Sequence, residues 1–177
     1  MLTPTWLRSA TLTLSCPGSI DTRRIAVLGI GNELNTDDAV GVRIAQELIR
    51  ASVMQVRLET DQPYLIIAAG LAPENFTGQV RRFKPEVVVL VDAAQMNAFP
   101  GTIAWLACQQ ISGVSGTTHA LPLSLLARYL TDEIGCEVYL LGIQPAGNEF
   151  GDELTPRVAA ASREVVVGLG DLLLSRV

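Results

Sequence analysis

A chain of 177 residues with 49% apolar side chains and a mean hydropathy of +0.33 is sized for one domain with a single core and is too apolar for disorder. Its formal charge of −5 and its one lysine, Lys84, argue against nucleic acid as a partner, because affinity for phosphate backbones comes from clustered Lys and Arg; no Gly-Lys-Ser/Thr ending provides a Walker-type phosphate loop either. No run approaches the roughly 18 apolar residues of a membrane helix, so no membrane partner is expected.

The cysteines, Cys16, Cys108 and Cys136, are far apart and form no CxxC pair. That spacing suits neither a structural zinc site nor a disulfide framework, and it fits a reducing cytoplasm. The segment Ala10–Cys16 has the look of an export signal, but it is short, is broken by threonines and follows only Arg8. Residues 1–24 are therefore expected to be an arm of unassigned role, ahead of one α/β domain over residues 25–177.

Ile25–Ile30 is aliphatic and runs into Gly31-Asn32, which predicts a buried strand ending in a tight turn. From Asp37 the period changes: Val40, Ile44 and Leu48 recur with Ala45 and Ile49 beside them, one face of a helix. A strand is expected at Tyr64–Ala69 and a helix over Pro73–Arg82. Glu86–Asp92 (EVVVLVD) is apolar on both faces, as a central parallel strand requires. Gly101–Ala107 reads as a shorter edge strand, Leu121–Ile134 as a helix with Pro122 in its first turn, and Val138–Ile143 as another buried strand. Thr155-Pro156 opens the last helix as N-cap and first-turn proline, with Val158, Val165, Val166, Leu169 and Leu173 inward. Strands alternating with helices in this way predict an α/β sandwich with a mostly parallel, twisted sheet.

Ligands of open parallel sheets bind beyond the carboxyl ends of the strands, which directs attention to three places. Gly29–Asp38 carries half of a dinucleotide fingerprint, with Leu34 where the third glycine would stand, and ends in Asp37-Asp38. These acids read either as an N-cap and a first-turn acid or as ligands. Asp92 ends an apolar strand and needs either loop amides or a metal. His119, the only histidine, lies between a glycine-containing loop and the next helix and reads either as structural or as a ligand. Together Asp38, Asp92 and His119 form an O,O,N set suited to a borderline divalent metal. Gly113-Val114-Ser115-Gly116 is not a GxSxG elbow, and a Cys108–His119–Asp92 thiol triad has no local pattern behind it. Gly41 is expected to let the helix lie close on the first strand.

In their order and spacing, GIGNELNTDDAVG (Gly29–Gly41), APEN (Ala72–Asn75), LVDA (Leu90–Ala93), PGT (Pro100–Thr102), TTHALPL (Thr117–Leu123) and LLGIQP (Leu140–Pro145) resemble one family, the NiFe-hydrogenase maturation endopeptidases. The likeness spans about residues 25–174 and is greatest to the branch serving hydrogenase 3 of the formate-hydrogenlyase type. It implies a three-layer α/β/α sandwich around a five-stranded sheet, phosphorylase/hydrolase-like. It also implies an endopeptidase that removes the C-terminal extension of a NiFe-hydrogenase large-subunit precursor after nickel insertion.

On that resemblance the metal-binding and catalytic positions fall on Asp38, Asp92 and His119. The resemblance further implies that the nickel is the precursor's own, with no organic cofactor, and that the enzyme is a metal-dependent peptidase, aspartic-type by family convention; a cytoplasmic monomer is expected. A non-catalytic nickel-checkpoint module binding the same precursor is the alternative, and a Rossmann-like nucleotide enzyme a third reading. The chain departs from the family at Ala68-Ala69-Gly70-Leu71, where the relatives carry an Asp-Gly-Gly-Thr/Ser loop.

Overall fold

The structure, a computed structural model, describes residues 3–15, 23–55, 62–111, 115–116 and 122–174. Five strands form a mostly parallel sheet in the order β2-β1-β3-β6-β4: β1 (Ile25–Ile30), β2 (Tyr64–Gly70), β3 (Val87–Gln95), β4 (Ile103–Ala107) and β6 (Glu137–Ile143). Strand β4 alone in that row is antiparallel, pairing with β6 from Ile103 opposite Ile143 to Ala107 opposite Tyr139. The two-residue β5 (Ser115–Gly116) adds to the far end of β3 beside Ala94 and Gln95.

Helices cover both faces. On one lie α1 (Thr5–Leu14), α2 (Val40–Gln55) and α6 (Pro156–Leu174), packed on Val27, Val89, Val91 and Leu141. On the other lie α3 (Thr77–Phe83), α4 (Cys108–Ile111) and α5 (Leu123–Ile134), packed on Leu28, Val88, Leu90 and Leu140. Alternate residues of β3 thus enter two separate cores, which is why its sequence is apolar without interruption. This is the three-layer α/β/α sandwich expected from the sequence.

The elements follow the predicted order with local differences. The helix expected over Pro73–Arg82 starts as a 3-10 turn, Pro73–Phe76, before α3. There the Thr77 hydroxyl donates to the Glu74 carbonyl at 2.8 Å. Helix α5 begins at Leu123; Pro122 stands at its cap, and the Pro122 carbonyl takes the N–H of Leu126. Leu121 lies outside the described residues.

The arm contains a helix. Trp6, Ala10 and Leu14 recur at i, i+4, i+8 and are buried against α6 and β4, and the Trp6 indole N–H donates to Glu164 at 2.6 Å. Gly168 of α6 leaves the space that the Trp6 ring fills: a Cβ there would stand 2.9 Å from the ring.

The connections of β1 and β3 lead to opposite sides of the sheet. From β1 the chain crosses through α2 to β2 at one edge of the sheet, whereas from β3 it leaves the other way, to β4 at the opposite edge. A crevice opens where such a reversal occurs, here between the carboxyl ends of β1 and β3.

Candidate active site

Asp38 and Asp92 both stand at this crevice. Asp92, where the sequence ended the expected strand, lies inside β3, which runs on through the buried Ala93 and Ala94 to Gln95; it is fully buried and in register with Gly142 of β6. Asp38 lies in a short 3-10 turn, Asp37–Ala39, that leads into α2 and packs against β3; it is 1% exposed.

Two glycines make the approach possible. Gly31, at φ +134°, turns the chain out of β1 with its α-carbon against the backbone of Asp38, and a Cβ there would overlap the Asp38 carbonyl oxygen. A Cβ on Gly41 would overlap the carbonyl oxygens of Val91 and Ile30. The start of α2 therefore rests directly on the ends of β1 and β3, as expected of Gly41. The backbone N–H of Asn32 donates to Oδ2 of Asp38 at 2.9 Å and fixes that carboxylate over the turn.

Asp37 does something other than cap the helix it precedes. Its Oδ2 accepts the N–H groups of Ala146 and Gly147, at 2.8 and 3.3 Å, and the Thr155 hydroxyl at 2.9 Å; its Oδ1 accepts the Thr155 N–H at 2.8 Å. Thr155 occupies the N-cap position of α6, its carbonyl taking the N–H of Ala159, but its hydroxyl is turned to Asp37. The fully buried Asp37 thus anchors the long connection after β6 to the turn that carries Asp38. The same connection is pinned again by a bridge between Asn35 and Phe150 and by the bonds Thr36 N–H to Glu149 O and Gly151 N–H to Leu34 O.

Gln144, also buried, holds the loop after Asp92. Its Oε1 accepts the N–H of Met96 at 2.7 Å and of Ala98 at 3.3 Å, and its Nε2 donates to Gln95 Oε1 at 2.8 Å and to the Pro145 carbonyl at 3.2 Å. All its amide valences are used, as a buried polar group requires. The sequence carries Gln144 within LLGIQP, and its position just past an apolar strand was the available sign of a role. For Asp37 the sign was only the pairing of two acids.

His119 lies outside the described residues, as does Cys16, so the expected trio is described at Asp38 and Asp92. Among the described residues no three His, Cys, Asp or Glu side chains are grouped to hold an ion. The altered loop Ala68–Leu71 sits at the end of β2, where the Gly70 carbonyl accepts the N–H of Gly31.

The register separates the described thiols, Cys108 and Cys136, from this site. Ala107 is level with Tyr139 and Val89, so Cys108 lies about 13 Å down the sheet from Asp92 and two strands away. Cys108 and Cys136 line a cavity of about 370 Å3 at the amino end of the strands. Burial pushes the Cys136 thiol up to about 11, and it donates to the Leu130 carbonyl at 3.5 Å. A triad of Cys108 with Asp92 is incompatible with this arrangement.

Fold and site define an α/β protein whose buried acids sit at the reversal of a parallel sheet, and comparisons narrow that class. The model of the family HycI, hydrogenase maturation protease, matches residues 48–169. A Methanocaldococcus jannaschii protein provisionally named a hydrogenase maturation protease is 34% identical over 72% of this chain and 76% of its own length. The hydrogenase 3 maturation protease of Escherichia coli K12 is 33% identical over 67% of this chain and 71% of its own. The crystal structure of the [NiFe] hydrogenase maturation protease HycI from Thermococcus kodakarensis superposes with a TM-score of 0.74 and 29% identity, over 86% of this chain and 93% of that one. The chain belongs to the hydrogenase maturation protease family, and its activity is that of a peptidase. No helix among the described residues is long and apolar enough to cross a membrane.

Proposed function

We propose that this protein trims the C-terminal extension from the large-subunit precursor of a NiFe-hydrogenase once nickel is in place, and that Asp38, Asp92 and His119 engage the precursor's nickel. The observation that carries the reading is the burial of Asp38 and Asp92 together at the crevice between β1 and β3. A carboxylate taken out of water is costly unless donors or a cation compensate it, and oxygen donors joined by an imidazole suit a borderline divalent ion. His119 follows Gly116 by three residues, Gly116 pairs with Ala94, and three residues reach no farther than about 11 Å.

The chemistry is metal-assisted hydrolysis: the precursor's nickel polarises the scissile carbonyl or acidifies a water, so no thiol or hydroxyl nucleophile is required. Asp38, held by the Asn32 N–H, and Asp92, in the buried part of β3 toward its carboxyl end, orient the ion and the chain that carries it. Membership in a family of proteases favours cutting over binding alone, against the checkpoint alternative. We read the protein as a cytoplasmic monomer, consistent with its thiol usage. The test is intact-mass analysis of the precursor after incubation with the purified protein. A shortened product from nickel-loaded precursor and none from nickel-free precursor is expected; binding without shortening would establish the checkpoint instead.

A further inference from the structure

A row of residues crosses the sheet from the site to a second feature. Asp92 of β3 is in register with Gly142 of β6, and Gly142 with Ala104 of β4. All three belong to the face that carries α5, because Leu90, Leu140 and Leu106 occupy the next row on that face. Ala104 is thus about 10 Å from Asp92, at two strand spacings. Between them is a glycine: a Cβ at Gly142 would stand 2.9 Å from Ala94 Cβ and 3.4 Å from Met96 Sδ.

At the far end of this row is a cavity of about 360 Å3, open to solvent. Its walls are the loop from Gln95 to Ala98 and the strand residues Ala104 and Leu106, with Thr102 and Gln110 at the sides. The first wall is the loop that Gln144 braces through Met96 and Ala98, and the second is sheet. The cavity is therefore preformed. Among the described residues no charged side chain lines it. Two of its amides are already committed as acceptors, Gln95 to Gln144 and Gln110 to the Ala107 N–H at 2.9 Å.

We propose that this cavity is a substrate subsite that takes one uncharged side chain of the precursor, within about three residues of the scissile bond. The reach follows from the row: an extended peptide advances about 3.3 Å per residue, so about 10 Å from the acid corresponds to three residues. The selectivity follows from the lining, since a charged side chain seated here gives up part of its hydration and meets no counter-charge. The proposal rests on the proposed function and adds a determinant of which precursor is cut.

The test uses the full chain and nickel-loaded precursors in which each of the three residues on either side of the cut is replaced in turn by Asp or Lys. At one position, charge should lower kcat/KM at least about tenfold beyond the effect at its neighbours. Ala104→Phe, which fills the cavity from a strand, should cut the parent precursor about tenfold more slowly and recover most of that loss when the same position carries Gly. If wild type tolerates charge equally at all six positions, the subsite is wrong whatever Ala104→Phe does. A folded Ala104→Phe with unchanged rate and unchanged side-chain preference would also overturn it. Failure of wild type to cut any nickel-loaded precursor would remove the proposed function together with the subsite, whereas cutting with uniform tolerance removes the subsite alone.

Discussion

The two ends of the sheet solve the same problem in opposite ways. At the amino end, loops are tied by charges that water can reach: Arg23 pairs with Glu137 at 2.9 Å, the Arg24 N–H donates to Glu86 at 2.8 Å, and the Arg24 guanidinium donates to the Phe83 carbonyl and lies 4.4 Å over its ring. At the carboxyl end, the ties are buried: Asp37 gathers the connection after β6, Gln144 gathers the loop after β3, and Asp38 receives the turn after β1. Solvated ion pairs contribute ~0–1 kcal/mol each, whereas a buried carboxylate or amide left without its donors costs several-fold more. Burying polar groups where surface ones would suffice is therefore a property of the end that has to hold a geometry.

That contrast is sharpest in catalysis. Asp38→Asn keeps the shape of the side chain and removes its charge; it should abolish trimming of nickel-loaded precursor, by about a thousandfold or more, while thermal melting stays near wild type. Retained cleavage would leave the carboxyl end without its assigned acid.

Gly41→Ala should come next. The added methyl overlaps the carbonyl oxygens of Val91 and Ile30, so α2 must shift off the strand ends, with a loss of about 3 kcal/mol or more in denaturant unfolding and a parallel fall in processing. An unperturbed unfolding midpoint would show that the close approach is dispensable. Asp37→Ala should follow, losing about 2–4 kcal/mol because three N–H groups and one hydroxyl forfeit a buried acceptor. Its signature is loss of stability with hydrogen-exchange protection falling first at Ala146, Gly147 and Thr155. A variant as stable as wild type but inactive would instead make Asp37 part of the chemistry.

At the amino end effects should be small. Arg24→Ala is expected to cost ~1 kcal/mol or less and to leave processing unchanged. Cys136 contributes a pH dependence with a definite sign. Its thiol is raised by burial from 9.0 to about 11, so between those values the folded state holds a proton that the unfolded state releases. Stability from this source is complete below pH 9 and is lost as pH rises through about 11. Cys136→Ala should flatten that part of the melting profile; an identical alkaline decline in both proteins would contradict it.

The sequence disclosed whatever depends on near neighbours. Glu86–Asp92 is legible as a central strand because both of its faces are apolar, and Val40, Ile44 and Leu48 as a helix face because their spacing is the helix's own. Asp92 is legible as a candidate because a carboxylate interrupts that apolar strand, although the strand runs on to Gln95, which the short Ala93-Ala94 pair did not signal. What escaped depends on distant partners. The donors to Asp37 lie more than a hundred residues away, and those to Gln144 nearly fifty away, so no local pattern could assign either role. Helix α1 was masked by its threonines, which are poor helix formers; Thr11 and Thr13 bond back to the carbonyls of Leu7 and Ser9, and the stripe Trp6, Ala10, Leu14 acquires meaning only against α6. The proposed assignment of the precursor's nickel to Asp38, Asp92 and His119 comes from the family resemblance, since the residue types alone indicate only a divalent metal.

The central claim, that peptide cleavage takes place at the carboxyl end and without a thiol nucleophile, has one direct test. Wild type, Asp92→Asn and Cys108→Ser should be compared on the same nickel-loaded precursor by intact mass over time, each checked for folding by thermal melting. The account predicts that wild type and Cys108→Ser produce the trimmed chain at the same rate and that folded Asp92→Asn produces none. A folded Cys108→Ser that no longer trims, or an Asp92→Asn that trims at the wild-type rate, would contradict it.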